Sequence, residues 1–192
     1  MGLALLNQKE NYVIGIWKIV EPLDKLERDL KEKNHEKFKS TKRQLEYICT
    51  RLLLRKINKE LIISYNKFGA PKLNNDKNIS ISHSDNLIAI IISDKNVAID
   101  IEKISEKALK IKDKFISKKD NVLLNIKETT LTWSAKEVVY KLHQKGGVDF
   151  KKDIIVKKID SLKNKIHIIF NKKSIVLNYQ KINQHFLVYV CN

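Results

Sequence analysis

Proline, glycine and cysteine are all scarce in this chain of 192 residues, which holds two, five and two of them. So little glycine and proline excludes a long flexible linker and a low-complexity region. Cys49 and Cys191 stand outside any C-x-x-C or metal-type spacing. That excludes a disulfide framework and a thiolate zinc site, and leaves two plain thiols in a reducing compartment. Long apolar runs are missing too. The longest lies around 87–92, far short of the roughly 20 residues of a membrane-spanning helix. The opening stretch, MGLALLNQKENYVIGIW, lacks the charged start and sustained apolar centre of a signal peptide. Leu6 breaks the N-myristoylation pattern. These absences predict a soluble, cytoplasmic chain with no membrane partner.

Acidic residues are the scarce charge. Lys and Arg number 38 against 22 Asp and Glu, a formal net charge of +16 with a pI near 9.7. With 43% hydrophobic residues the chain can still bury a core, as one large domain or two small lobes. The excess charge has three readings: a solvated lysine-rich surface, a nucleic-acid-binding face, or a field that draws in a polyanionic ligand or an acidic protein. Lysines such as Lys31, Lys72, Lys118, Lys151 and Lys172 are spread along the whole chain. There is no arginine-rich tract and no base-stacking motif. A non-catalytic, basic nucleic-acid-binding module is therefore the alternative reading rather than the leading one.

Periodicity predicts a strand at 12–19 and a helix over 21–33 opened by Pro22. A second helix follows, capped by Ser40 or Thr41, with Leu45, Ile48, Leu52 and Ile57 on one face. A short strand at 60–65 and a turn at 66–71 come next, then strands at 78–82, 87–93 and 97–102. The second half begins again with helices, about 106–118 and 129–143, the latter capped by Thr129 or Thr130. Two glycines at 146 and 147 break the pattern. Strands at 154–159, 165–170, 174–179 and 185–191 complete it. Helix-then-sheet occurs twice, which predicts an α+β fold of two similarly built lobes, each a small antiparallel sheet packed with helices.

Three segments carry candidate chemistry. In AIDIE, 98–102, Asp100 and Glu102 alternate with Ile99 and Ile101. On a strand both carboxylates face one side, with Cα atoms about 6.7 Å apart, and the isoleucines face the interior. Paired carboxylates of this kind suit a hard divalent cation, although an ordinary solvated strand face has the same pattern. In TWSAKEVVYKL, 132–142, Glu137 and Lys141 are four apart on a helix, with Lys136 beside them. They are either a surface ion pair or a carboxylate and a phosphate-binding lysine facing one cleft. In NISISHSD, 78–85, His83 follows a strand between Ser82 and Ser84. It is either a satisfied structural histidine or a donor to a phosphate. No G-x-S-x-G elbow supports a serine hydrolase.

Taken in order, F-G-x-P, then S-I-S-H-S, then I-D-I-E on a strand, then W-S-x-K-E-x-x-x-K resembles the 4′-phosphopantetheinyl transferase superfamily across residues 40 to 150. The length and the presence of both halves resemble its larger, surfactin-type class. That resemblance implies transfer of the phosphopantetheine arm of coenzyme A to a serine of an apo acyl or peptidyl carrier protein, releasing adenosine 3′,5′-bisphosphate. It implies Mg²⁺, with Mn²⁺ as a substitute, held by Asp100, Glu102 and Glu137. It casts Glu137, Lys141 and Asp100 as catalytic, Glu137 being either a third metal ligand or the base. It places Lys141, Lys136, Ser82, His83 and Lys145 against coenzyme A, with Arg43 and Arg51 on its adenosine-side phosphates. Lys145, Gly146 and Gly147 resemble a loop beside the pantetheine arm. The implied architecture is a monomer of two pseudosymmetric lobes, 1–97 and 98–192, with the site in the cleft between them. Three positions depart from the pattern: Ala98 for a glycine, Ala70 for a lysine that Lys72 would replace, and Val138 for an alanine.

Overall fold

Two units, one ending at Lys95 and one running Asn96–Asn192, each close around their own core. The computed structural model describes residues 2–32 and 34–192, so Lys33, at the end of the predicted 21–33 helix, lies outside the described residues. The fold is α+β, with antiparallel sheets and, among the described residues, four α-helices.

The first unit contains β1 (Leu3–Gln8), β2 (Val13–Lys18), α1 (Leu23–Leu30), α2 (Thr41–Ile57), β3 (Ile63–Tyr65), β4 (Pro71–Leu73), β5 (Asn78–Ser84) and β6 (Leu87–Ser93). Its main sheet has the order β1-β2-β6-β5, with β3 and β4 as a separate hairpin. Helix α2 is apolar along Ile48, Leu52 and Leu53, and this stripe packs with Trp17, Ile88 and Ile90 of the sheet. Residue 15 must be small for that: a Cβ there would stand 2.8 Å from Leu53 Cδ1 and 3.2 Å from Ile57 Cδ1. The first strand of the chain is β1, not the predicted 12–19 segment. Its burial alternates along LALLNQ, but leucine and alanine give such a segment no strand bias. Part of the predicted 66–71 turn also continues into β4. Ser40 occupies the N-cap position of α2 without a side-chain cap bond.

The second unit contains β7 (Val97–Lys103), α3 (Glu106–Lys110), α4 (Ile126–His143), β8 (Ile154–Asp160), β9 (Lys165–Phe170), β10 (Lys173–Ile182) and β11 (His185–Cys191). Its sheet runs β7-β11-β10-β9-β8. Here too the first strand of the motif pairs with the last, after a helix and hairpins, so the two units repeat one plan. Leu131, Ala135, Val138 and Val139 of α4 pack on Ala98, Val188 and Val190. The predicted 106–118 helix stops at Lys110 and gives way to a short 3-10 turn, Lys112–Lys114. Helix α4 starts earlier than predicted, and its cap is neither Thr129 nor Thr130. The Asn125 side chain accepts from the Glu128 N–H at 2.9 Å, and Glu128 in turn accepts from the Leu123 N–H at 2.7 Å. Thr129 and Thr130 sit inside the first turn and donate back to the Asn125 and Ile126 carbonyls.

Candidate functional site

Strand alternation puts Asp100 and Glu102 on the same face of β7 as Ala98. That face is the one α4 covers, so the acids lie on the helix side. Ile99 and Ile101 are fully buried on the opposite face. Asp100 is only 4% exposed, and a carboxylate so enclosed must have partners. Helix α4 supplies them from residues seven apart, which share one face. Lys141 Nζ donates to Asp100 Oδ1 at 2.7 Å and to the Ile99 carbonyl at 3.1 Å. Ser134 Oγ donates to Asp100 Oδ2 at 2.7 Å. Glu102 is half-buried and accepts from the Trp133 indole N–H at 3.3 Å.

Glu137 lies on the same helix face. Its carboxyl is pushed up from 4.5 to about 7 by burial first, then by the negative charges of Asp100 and Glu102, with Lys141 opposing. The structure therefore brings Asp100, Glu102, Glu137 and Lys141 into one electrostatic neighbourhood. Among the described residues, no three His, Cys, Asp or Glu side chains form a ready-made metal cage. A hard cation does not require one: Mg²⁺ takes one or two carboxylates and fills its remaining positions with water and phosphate. The donors here are all oxygens, and the excess negative charge felt by Glu137 is what a divalent ion would balance. The residues present fit such an ion.

Lys136 is a correction to the expectation that it binds a phosphate. It is fully buried, and its ammonium donates to the Phe115 carbonyl at 2.6 Å, the Phe150 carbonyl at 3.0 Å and the Asp120 carboxylate at 3.0 Å. All three ammonium donors are used. Burial pulls the ammonium below its usual range, and Asp120 opposes that. Lys145 is exposed in the loop after α4, where Gly146 and Gly147 take φ of +69° and +72°.

The first unit gathers a different set. A cavity of about 320 Å³ is lined by Arg43, Glu46, Tyr47 and Arg51 of α2, Tyr65 of β3 and His83 of β5. Arg43, Arg51 and His83, separated in sequence, thus share one wall. Arg43 Nη1 lies 3.2 Å from Glu46 Oε2 and 3.4 Å from His83 Nε2. His83 Nδ1 lies 3.2 Å from Glu46 Oε1. The Arg51 guanidinium stacks 3.3 Å over the Tyr47 ring. Gly69 of the F-G-x-P segment also borders the cavity, at φ +79° with nothing within 4 Å of where a Cβ would stand. Ser82 is the second correction within this group. Being adjacent to His83 on a strand, it points to the other face, is buried, and does not line the cavity.

Sequence reasoning missed Glu46, Trp133, Ser134 and Asp120. Glu46 is three residues from Arg43 on a helix, and Ser134 is three and seven residues before Glu137 and Lys141. Helical spacing alone points to both. Trp133 lay inside a quoted motif without a role. Asp120 sits in an irregular segment that no periodicity marks.

No protein-family description in the comparison matches the chain. A curated protein, the 4′-phosphopantetheinyl transferase gsp of Aneurinibacillus migulanus, is 32% identical to it over 96 residues. The match takes in 46% of this chain, and the chain spans only 40% of that relative's length. Among the described residues no helix is long and apolar enough to cross a membrane. In motif order and in this measured similarity alike, the chain resembles a 4′-phosphopantetheinyl transferase over about half of its length.

Proposed function

We propose that the protein transfers the 4′-phosphopantetheine group of coenzyme A to a serine of an apo acyl or peptidyl carrier protein, in the manner of the surfactin-type transferases. The observation that carries this is the Asp100–Glu102–Glu137–Lys141 group, three carboxylates and one cation on one strand–helix seam, with Glu137 near 7. The relative's printed name supports the same reaction class. In this reading Asp100, Glu102 and Glu137 hold Mg²⁺, or Mn²⁺ in its place. When bound, that ion neutralises charge on the diphosphate oxygens.

The chain's own residues do the rest. The serine oxygen attacks the phosphorus bonded to the pantetheine arm. A new P–O bond forms, the bond to the second phosphate breaks, and adenosine 3′,5′-bisphosphate leaves with the electron pair. A water oriented by Glu137 takes the serine proton. Lys141 supplies a fixed positive charge where the phosphoryl oxygens gain negative charge. The Arg43–Arg51–His83 cavity receives the adenosine-side phosphates. Acidic carrier proteins are drawn to the chain by its +16 charge. The chain acts as a cytoplasmic monomer.

The test is mass spectrometry of apo carrier proteins after incubation with the protein, coenzyme A and Mg²⁺. A gain of one phosphopantetheine arm is expected. Asp100→Ala should lower the rate on the order of 10²–10³-fold with the fold retained. Transfer by Asp100→Ala at the wild-type rate would remove the assignment.

A further inference from the structure

The burial of Lys136 raises the question of what a fully enclosed ammonium does one residue before Glu137. We propose that Lys136 and Asp120 form a buried clasp that positions Glu102 through Trp133. The inference rests on the functional reading above in taking Glu102 as a ligand for a divalent cation.

Four segments meet at the clasp. Lys136 comes from α4, and its acceptors lie on the segment after α3 and on the loop before β8. Asp120 is also fully buried. It accepts from the Ser117 N–H at 2.7 Å, the Ser117 hydroxyl at 3.0 Å and the Val156 N–H of β8 at 2.7 Å. A tetrahedral ammonium meets three separated acceptors here. A planar guanidinium does not match that arrangement.

The two carbonyls that Lys136 holds belong to Phe115 and Phe150, and the rings of these residues enclose Trp133. Phe115 meets the indole edge-on, with centroids 5.1 Å apart at 70°, and Phe150 lies at 5.6 Å and 40°. A ring packed against two others has restricted rotation, which limits where its N–H can point. Here the N–H points to Glu102 Oε1, at 3.3 Å. One carboxylate oxygen of Glu102 is thereby fixed, which orients the other. Asp100 needs no such chain, because Ser134 and Lys141 hold it directly. The two acids of β7 are therefore positioned by independent means. Lys136, Asp120 and Trp133 are positioning residues, and none of them touches a reacting atom.

The test uses the whole chain and Mn²⁺ alone, with binding followed by electron paramagnetic resonance and no coenzyme A present. Trp133→Phe keeps the aromatic stack and deletes the indole N–H. It should weaken Mn²⁺ binding about 10-fold, the usual scale for an outer-shell partner. The double variant Lys136→Met/Asp120→Asn removes both charges at once. It should weaken binding by a similar factor and red-shift the Trp133 emission, identified by comparison with Trp133→Phe. Adding Trp133→Phe to the double variant should cost nothing further, since all three act through one contact. Unchanged Mn²⁺ affinity in Trp133→Phe overturns the proposal even if the double variant does not fold. Fully additive losses overturn it as well. A wild-type chain that takes up no Mn²⁺ counts against the metal reading itself, and the emission arm then decides whether the clasp holds Trp133.

Discussion

The two units share a plan and differ in what fills its central seam. Laying β2 on β7 with Ile14 over Ile99 also carries Thr41, the first residue of α2, onto Ile126, the first of α4. In that register Gly15 and Trp17 stand where the second unit has Asp100 and Glu102, and Cys49 and Leu52 stand where it has Ser134 and Glu137. The first seam is packed with apolar side chains. Gly15 is backed by Leu53 and Ile57, Trp17 is buried in the core, and the Cys49 thiol is pushed up to about 12 by burial and by Glu21. The second seam carries a charged, hydrogen-bonded group, Asp100 with Ser134 and Lys141 and Glu102 with Trp133. Every arginine of the chain, Arg28, Arg43, Arg51 and Arg55, belongs to the first unit, and two of them, Arg43 and Arg51, line its cavity. One scaffold thus yields an apolar seam or a charged one, according to a few side chains on one strand and one helix.

The largest way to break this comparison is to move the acid. Gly15→Asp would place a carboxylate against Leu53 and Ile57 rather than a serine and a lysine. An unpaired buried charge costs about 3–5 kcal/mol. Urea denaturation should show a loss of that order for Gly15→Asp. A loss below about 1 kcal/mol would mean that the first seam admits charge and water, and that the contrast drawn here is wrong.

A subtler break comes from proton linkage at Glu137. Its folded-state carboxyl titrates near 7 against an ordinary 4.5, with burial as the leading cause. Between those values the folded chain holds a proton that the unfolded chain releases. The stability from this group is therefore fully present below about pH 4.5 and is lost as pH rises through about 7. The shift corresponds to a loss on the order of 3 kcal/mol. Metal-free wild-type protein should lose stability from pH 5 to pH 8, and Glu137→Gln should lose much less. Parallel pH profiles for the two, measured by urea unfolding, would show that Glu137 does not feel the charges of β7.

Much of the fold could be read from the sequence because its strands carry a clear signal. The segments 87–93, 165–170 and 185–191 are strands at their expected boundaries, since β-branched and aromatic residues run through each. Strand β1 was hidden by its leucines and its place at a sheet edge. The end of the 106–118 helix was hidden by Asp120 and Lys136, whose long-range contacts override local propensity. The same pair explains the error at Lys136. A lysine in a motif full of polar residues reads as a surface cation, and nothing local says that three acceptors from distant segments enclose it. The strand period pairs Asp100 with Glu102 and the helix period pairs Glu137 with Lys141, while the order of motifs, not either period, joins the two pairs. Ser82 belongs to the S-H-S motif in sequence, but on a strand it faces away from its neighbour His83.

The smallest effect concerns Arg51, and it sharpens the comparison most. The register that matches the two seams sets Arg51 over Lys136. In one unit that helical position lines a cavity, and in the other it is sealed inside a clasp. Arg51→Lys keeps the charge and gives up the planar stack on Tyr47, worth about 1 kcal/mol. If the first unit binds and the second reacts, this substitution should raise the KM for coenzyme A about 5-fold and leave kcat within about 2-fold. Asp100→Ala should do the reverse and act on kcat. A fall in kcat with unchanged KM in Arg51→Lys would place the guanidinium at the transition state. The first unit would then share in the chemistry, and its apolar seam would not mark it as a binding unit alone.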